Sequence, residues 1–130
     1  MISRALIVTL MVVVLVITGC SPETAQPGKL AGEVTIGPIV PVERPGTQYE
    51  VPCEVYQARQ VMVYDQDHAE LIRQVDIDCA GLYQVDLAPG FYVIDINHAG
   101  IDTSSEVPHE VVIKSGETTQ LDIDIDTGIR

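Results

Sequence analysis

The chain has 130 residues, a formal net charge of −12 at pH 7, no Trp, one Phe and five Tyr. That length builds one domain rather than two once an apolar N-terminal stretch is set aside. A field of this sign makes nucleic acid and anionic lipid surfaces poor partners, and its plainest use is solubility outside the cytoplasm.

Met1 and Arg4 stand before thirteen almost wholly apolar residues, Ala5 to Ile17, which are followed by Thr18-Gly19-Cys20-Ser21-Pro22. A basic start, a short apolar run and small residues at the cut make a secretory signal, too short for a stable membrane span. The run Ile17-Thr18-Gly19-Cys20 resembles the lipobox of bacterial lipoproteins. The resemblance implies that residues 1–19 are a signal peptide removed on maturation, and that Cys20 is the lipidation site, its thiol bearing a palmitate-type diacylglyceryl group. At about 0.8 kcal/mol per buried methylene, two acyl chains hold a protein to a lipid bilayer far more firmly than one. Ser rather than Asp at position 21 implies, by the same resemblance, the outer membrane of a host that has two. The expected location is the cell envelope, on the extracytoplasmic side. Two alternatives stand beside it. An uncleaved anchor is opposed by the short run and the helix-ending Thr18 to Pro22, and a plain secretory signal by the missing A-x-A cut. All nineteen acidic residues follow Cys20 and only Arg4 of the seven basic ones precedes it, so maturation leaves the domain more acidic still.

Ser21 to Leu30, polar with two Pro and one Gly, reads as a tether that completes segment 20–30 and reaches at most about 35 Å. The domain is then 31–130. Period-two segments follow at regular intervals: Gly32 to Ile36, Arg59 to Asp65, Leu71 to Ile77, Tyr83 to Leu87, Phe91 to Asn97, Glu110 to Lys114 and Leu121 to Asp126. The last is the clearest, with Leu121, Ile123 and Ile125 alternating with three Asp. Arg73 falls on the apolar side of the third, which predicts an edge strand or a snorkelling stem. Seven short strands with turn signals between them predict an all-β fold, a seven-stranded antiparallel β-sandwich.

The stretch Asp78-x-x-Gly81-x-Tyr83-x-Val85-x-Leu87-x-Pro89-Gly90-x-Tyr92, with Gly32-x-Val34 ahead of it and Val111-x-Ile113-x-x-Gly116 behind, resembles the carboxypeptidase regulatory-like domain. This implies a prealbumin-like (transthyretin-like) sandwich over nearly the whole mature chain, an accessory module that accompanies many activities and is not itself the catalytic part. The expectation is therefore a non-catalytic, membrane-anchored module that binds an envelope protein or a glycan, with no cofactor.

With Cys20 given to lipid, Cys53 and Cys79 remain, and in an oxidising compartment their simplest use is one disulfide. Zinc is the weaker alternative, because no C-x-x-C spacing occurs and the three His are far apart in sequence. If successive strands alternate in direction, the two longest connections, Pro38 to Ala58 and His98 to His109, share one end of the sandwich with both cysteines. Long ordered connections often carry function. Arg44, Tyr49, Tyr56, His98, Asp102 and Arg130 are accordingly the candidate binding residues. Equally open is a plain crossover stapled by its prolines and disulfide, with Arg44 and Arg130 ion-paired to Glu43 and Asp126. Met62, Tyr64, Phe91 and Val93 would form an apolar strip if their strands were neighbours, unless the long connection covers them.

Two other functions have some support in particular residues. Asp122-x-Asp124-x-Asp126 suggests a calcium-dependent adhesion or stabilising module, but an EF-hand wants Gly in the sixth position and Glu in the twelfth, and the sixth is Thr127. Ser104, Ser105, His98, His109 and Asp102 would serve a small hydrolase, though no G-x-S-x-G elbow is present. No catalytic residue and no metal ligand is assigned.

Overall fold

The computed structural model describes residues 26–41 and 44–129. Residues 1–19, expected to be a signal peptide, Cys20 and Arg130 lie outside them. Among the described residues eight strands form: β1 (Gly28–Gly37), β2 (Gln60–Tyr64), β3 (Leu71–Asp76), β4 (Leu82–Leu87), β5 (Gly90–Ile96), β6 (His109–Ile113), β7 (Thr118–Gln120) and β8 (Ile123–Asp126). One sheet is built on β1, which pairs with β4, β7 and β8; the other runs β3-β2-β5-β6. The inward side chains of both sheets meet in one core, with Leu30, Val34, Val61, Val63, Ile94, Ile113, Ile123 and Ile125 fully buried.

The all-β two-layer expectation stands, and its details need three corrections. The pairing is not antiparallel throughout, since β1 lies parallel to both β7 and β8. Alternating strand directions point the first and last strands the same way, and here the two are neighbours. The count is eight rather than seven because the ladder of the last predicted strand is interrupted at Leu121 and Asp122, without a change of register. At that break the Asp122 carboxylate accepts the Glu33 N–H at 2.9 Å. The Leu121 carbonyl accepts the Tyr83 hydroxyl. Gly32 sits where a Cβ would collide with that same carbonyl. Finally, Gly28 to Leu30, expected at the end of the tether, belong to β1 and pair with Leu87 to Val85. Gly28 is there for close approach, its missing Cβ leaving room for the Lys114 carbonyl, and not for flexibility.

Strand direction sorts the connections as expected. Residues 38–59 and 97–108 and the β3–β4 turn share the end at which β1 finishes, with Gly28 at the other. There Cys53 and Cys79 are bridged, their Cα atoms 4.6 Å apart, within the range of an unstrained disulfide. The long connection contains a helix that periodicity did not reveal, α1 (Cys53–Gln57), whose Val55 and Tyr56 pack against the core. β3 is an edge strand, which accounts for Arg73.

Candidate functional site

β2 and β5 are neighbours, pairing Met62 with Asp95 and Tyr64 with Val93. Phe91, Val93 and Asp95 therefore point away from the core, on the outer face of the β3-β2-β5-β6 sheet. Met62 and Val93 are nonetheless buried there, whereas Phe91 is 60% exposed. Val93 shares a cavity of about 250 Å³ with Gln66, Asp67, His68, Pro108, His109 and Glu110. So the β2–β3 turn and the β5–β6 connection, which leave opposite ends of the sheet, both come over this face.

They meet on Asp95, an outward-pointing carboxylate that is nevertheless only 7% exposed. His98 Nε2 lies 2.9 Å from its Oδ1 and His68 Nε2 lies 3.4 Å from its Oδ2. The Ile96 N–H donates to Oδ1 at 2.8 Å. The His68 ring also packs edge-on against Tyr64, centroids 4.5 Å apart. His68 and His98 both hold positive φ, 57° and 46°, a left-handed conformation that costs a non-glycine residue roughly 1–3 kcal/mol and gathers at sites where the surroundings enforce it. At His68 the enforcement is a turn in which the Asp65 carboxylate accepts the Ala69 and Glu70 N–H groups. Those two bonds, Glu70's the larger influence, hold the Asp65 carboxyl below its ordinary pKa.

A second carboxylate positions His98. Asp102, buried, takes the Arg59 guanidinium in two bonds, at 2.7 Å from Nε and 3.2 Å from Nη2, and Arg59 Nη1 donates to the Val55 carbonyl at 2.9 Å. The Asp102 carbonyl faces His98 Nδ1 at 3.4 Å. Arg59, Asp102, His98, Asp95 and His68 thus form one chain of contacts from helix α1 across the sheet. All three histidines of the sequence reach this face, since His109 lines the same cavity as His68.

Of the residues expected to bind, only His98 sits in this cluster as an accessible group. Asp102 is spent on Arg59. Tyr56 is turned onto the core, and Arg44 is exposed, its N–H donating to the Tyr49 hydroxyl at 3.2 Å. Arg130 lies outside the described residues. His68 and Asp95 were not foreseen, although an Asp between Ile94 and Ile96 in a strand with neighbours on both sides was the available signal.

Along β8 the carboxylates serve their own sheet. Asp122 also accepts Gln120 Nε2 at 3.1 Å, Asp124 accepts the Thr35 hydroxyl at 2.8 Å, and Asp126 accepts the Gly128 N–H at 2.8 Å. The Glu33 N–H foremost, then Gln120, keeps the Asp122 carboxyl below its usual value.

The sequence matches no protein-family model and no curated protein. Among solved structures, it is similar to GBS52, the minor pilin of Streptococcus agalactiae, at 14% identity and a TM-score of 0.54 over 78% of this chain and 45% of that one. It is also similar to the Bacillus anthracis TIE protein, at 16% identity and 0.51 over 78% and 16%, and to a DUF3823 family protein from Parabacteroides merdae, at 17% and 0.47 over 78% and 46%. The chain spans less than half the length of each. At these identities the likeness establishes the β-sandwich fold alone.

Proposed function

We propose that this chain is an envelope lipoprotein, held to a bilayer through acylated Cys20, whose sandwich acts by binding an envelope protein or glycan and not by catalysis. What supports this reading is that Gly28 and the disulfide-bonded end, with its two long connections, lie at opposite ends of the sandwich, so a tether entering at Gly28 would leave the latter facing away from a membrane. The fold is one that a minor pilin also uses.

The cross-strand pair Phe91 and Val112, 60% and 45% exposed, adds an apolar patch on the outer face beside a cavity of about 200 Å³ lined by Gln66, Tyr92 and Glu110. Such a patch favours a protein partner. Two of the five residues considered for a hydrolytic site have other partners: Asp102 pairs with Arg59, and the Ser104 hydroxyl donates to Glu106 at 2.8 Å.

The test is a membrane-fraction crosslinking experiment on wild type, Phe91→Asp and Cys20→Ala. Acylation predicts detergent partition for wild type and an unprocessed precursor for Cys20→Ala. Crosslinked partners should be lost in Phe91→Asp. A soluble wild-type chain with a free Cys20 thiol, or no reproducible partner, overturns the corresponding half.

A further inference from the structure

We propose that the free edge of β6 takes an extended segment of a protein as an added antiparallel strand, and that this segment carries an apolar side chain followed, two positions on, by a basic one. The inference rests on the reading above, in which the Phe91–Val112 patch meets a protein, and names the partner's chemistry.

The phase of the ladder shows which backbone groups are open. The Asn97 N–H donates to the Gln60 carbonyl at 3.3 Å, so in the register of β2 and β5 the odd-numbered residues of β5 bond to β2. Alternation in an antiparallel ladder then gives Tyr92 and Ile94 to β6, where they meet Val111 and His109. Glu110 and Val112 turn their N–H and C=O groups the other way, toward an edge where, among the described residues, the sheet has no further strand. The Val112 carbonyl accepts the Thr119 hydroxyl at 3.2 Å and keeps a second lone pair. Both backbone groups of Glu110 are open among the described residues.

The other edges are defended. Sheets blunt their edges with short strands, bulges, inward-pointing charges or a covering loop. β7 has three residues, and β8 is bridged at Asp126 by Thr103. β3 combines Arg73, opposite the core residue Val63, with a register shift between Val63 and Tyr64. β4 alternates its core residues with Gln84 and Asp86. β6 instead presents the exposed Val112 beside the exposed Phe91.

A strand laid antiparallel on β6 passes Val112 first and Glu110 two residues later, and its side chains at those two points share the outer face with theirs. At Val112 it meets the cavity of about 200 Å³ lined chiefly by Phe91, Tyr92, Val111 and Val112. At Glu110 it meets the cavity of about 250 Å³ that adds Asp67, and among the described residues neither Glu110 nor Asp67 is ion-paired. His68, in the same cavity, is already turned to Asp95. An apolar side chain suits the first cavity and a Lys or Arg the second. In strand addition of this kind main-chain bonds give affinity and alternate side chains give specificity. A net charge of −12 on each chain opposes a second copy as the occupant.

The test is a titration of the detergent-solubilised full chain at pH 7 with the acetylated peptide Thr-Val-Thr-Lys-Thr-Val-Thr, read by residue-resolved hydrogen exchange. The Glu110 and Val112 amides should gain protection on binding, while those of Val111 and Ile113, already in the ladder, should not. Glu in place of the peptide's Lys should weaken binding about 5-fold or more, since a favourable cross-strand charge pair becomes a repulsive one. Glu110→Lys should reverse that preference. The proposal is overturned if the peptide does not bind, if Glu110→Lys leaves the preference as it was, or if protection of Glu110 and Val112 rises with protein concentration alone, the mark of a second copy. Loss of crosslinked partners in Phe91→Asp with no peptide bound overturns this proposal alone. Absence of crosslinks from wild type overturns the reading above and this proposal with it.

Discussion

Replacing Arg59 by Met tests whether the loop carrying His98 is held by a buried ion pair. The Arg59 side chain is 14% exposed and that of Asp102 is 3% exposed. Three of its N–H groups are used at 2.7, 3.2 and 2.9 Å. The substitution keeps most of the stem's packing but strands a carboxylate in a site closed to water. Breaking such a pair on one side costs about 3–5 kcal/mol, against at most about 1 for a pair on the surface. Urea unfolding of wild type, Arg59→Met, Asp102→Leu and the double variant gives the full cycle. Arg59→Met should lose about 3–5 kcal/mol, and the double variant should recover much of it, because hydrophobic replacement of both partners removes the desolvation penalty. A loss under about 1 kcal/mol for Arg59→Met would refute the claim that the pair is sealed from solvent.

Cys53→Ser should expose one titratable thiol at Cys79 and lower stability by up to about 3–4 kcal/mol, with limited proteolysis then cutting first in residues 38–52. Gly32→Ala should destabilise by about 1–3 kcal/mol or more, since the new methyl meets the Leu121 carbonyl and not a movable side chain; an unchanged urea midpoint would count against the interrupted ladder. The carboxyls of the half-buried Asp65 and Glu106 and the exposed Asp122 are held below their ordinary values, Glu106 chiefly by the Ser104 hydroxyl. Groups lowered on folding supply stability that is complete above their unfolded values, 3.8 for Asp and 4.5 for Glu, and lose it as pH falls through the folded ones. Asp65→Asn should therefore flatten the decline of thermal stability below about pH 4.

Much of the framework is legible in the sequence because it rests on alternation and on pairing by elimination. Leu121, Ile123 and Ile125 point inward as their spacing requires, and Cys53 and Cys79 meet at the end that strand direction assigns them. What escaped depends on contacts across the fold. Pro27 and Gly28 look like linker residues until the Lys114 backbone arrives beside them. Five residues are too few for α1 to leave a helical period. The last predicted strand divides into β7 and β8 where the Leu121 carbonyl turns toward Tyr83, a contact that depends on Tyr83 and Gly32 and not on the strand itself. The histidine cluster was hidden for a similar reason, as His68 and His98 are 30 positions apart and the residue joining them occupies a site where a solvated acid is the ordinary expectation.

β1 also sets the order in which the molecule can come into being. Among the described residues it alone is bonded to β4, β7 and β8, and its parallel partners lie 89 positions further on, so its sheet stays incomplete until Ile123–Asp126 exist. Pairings over such spans form slowly. A chain released from its first residue to its last could complete the β3-β2-β5-β6 sheet once Ile113 exists, whereas the sheet on β1 would wait for its final strand.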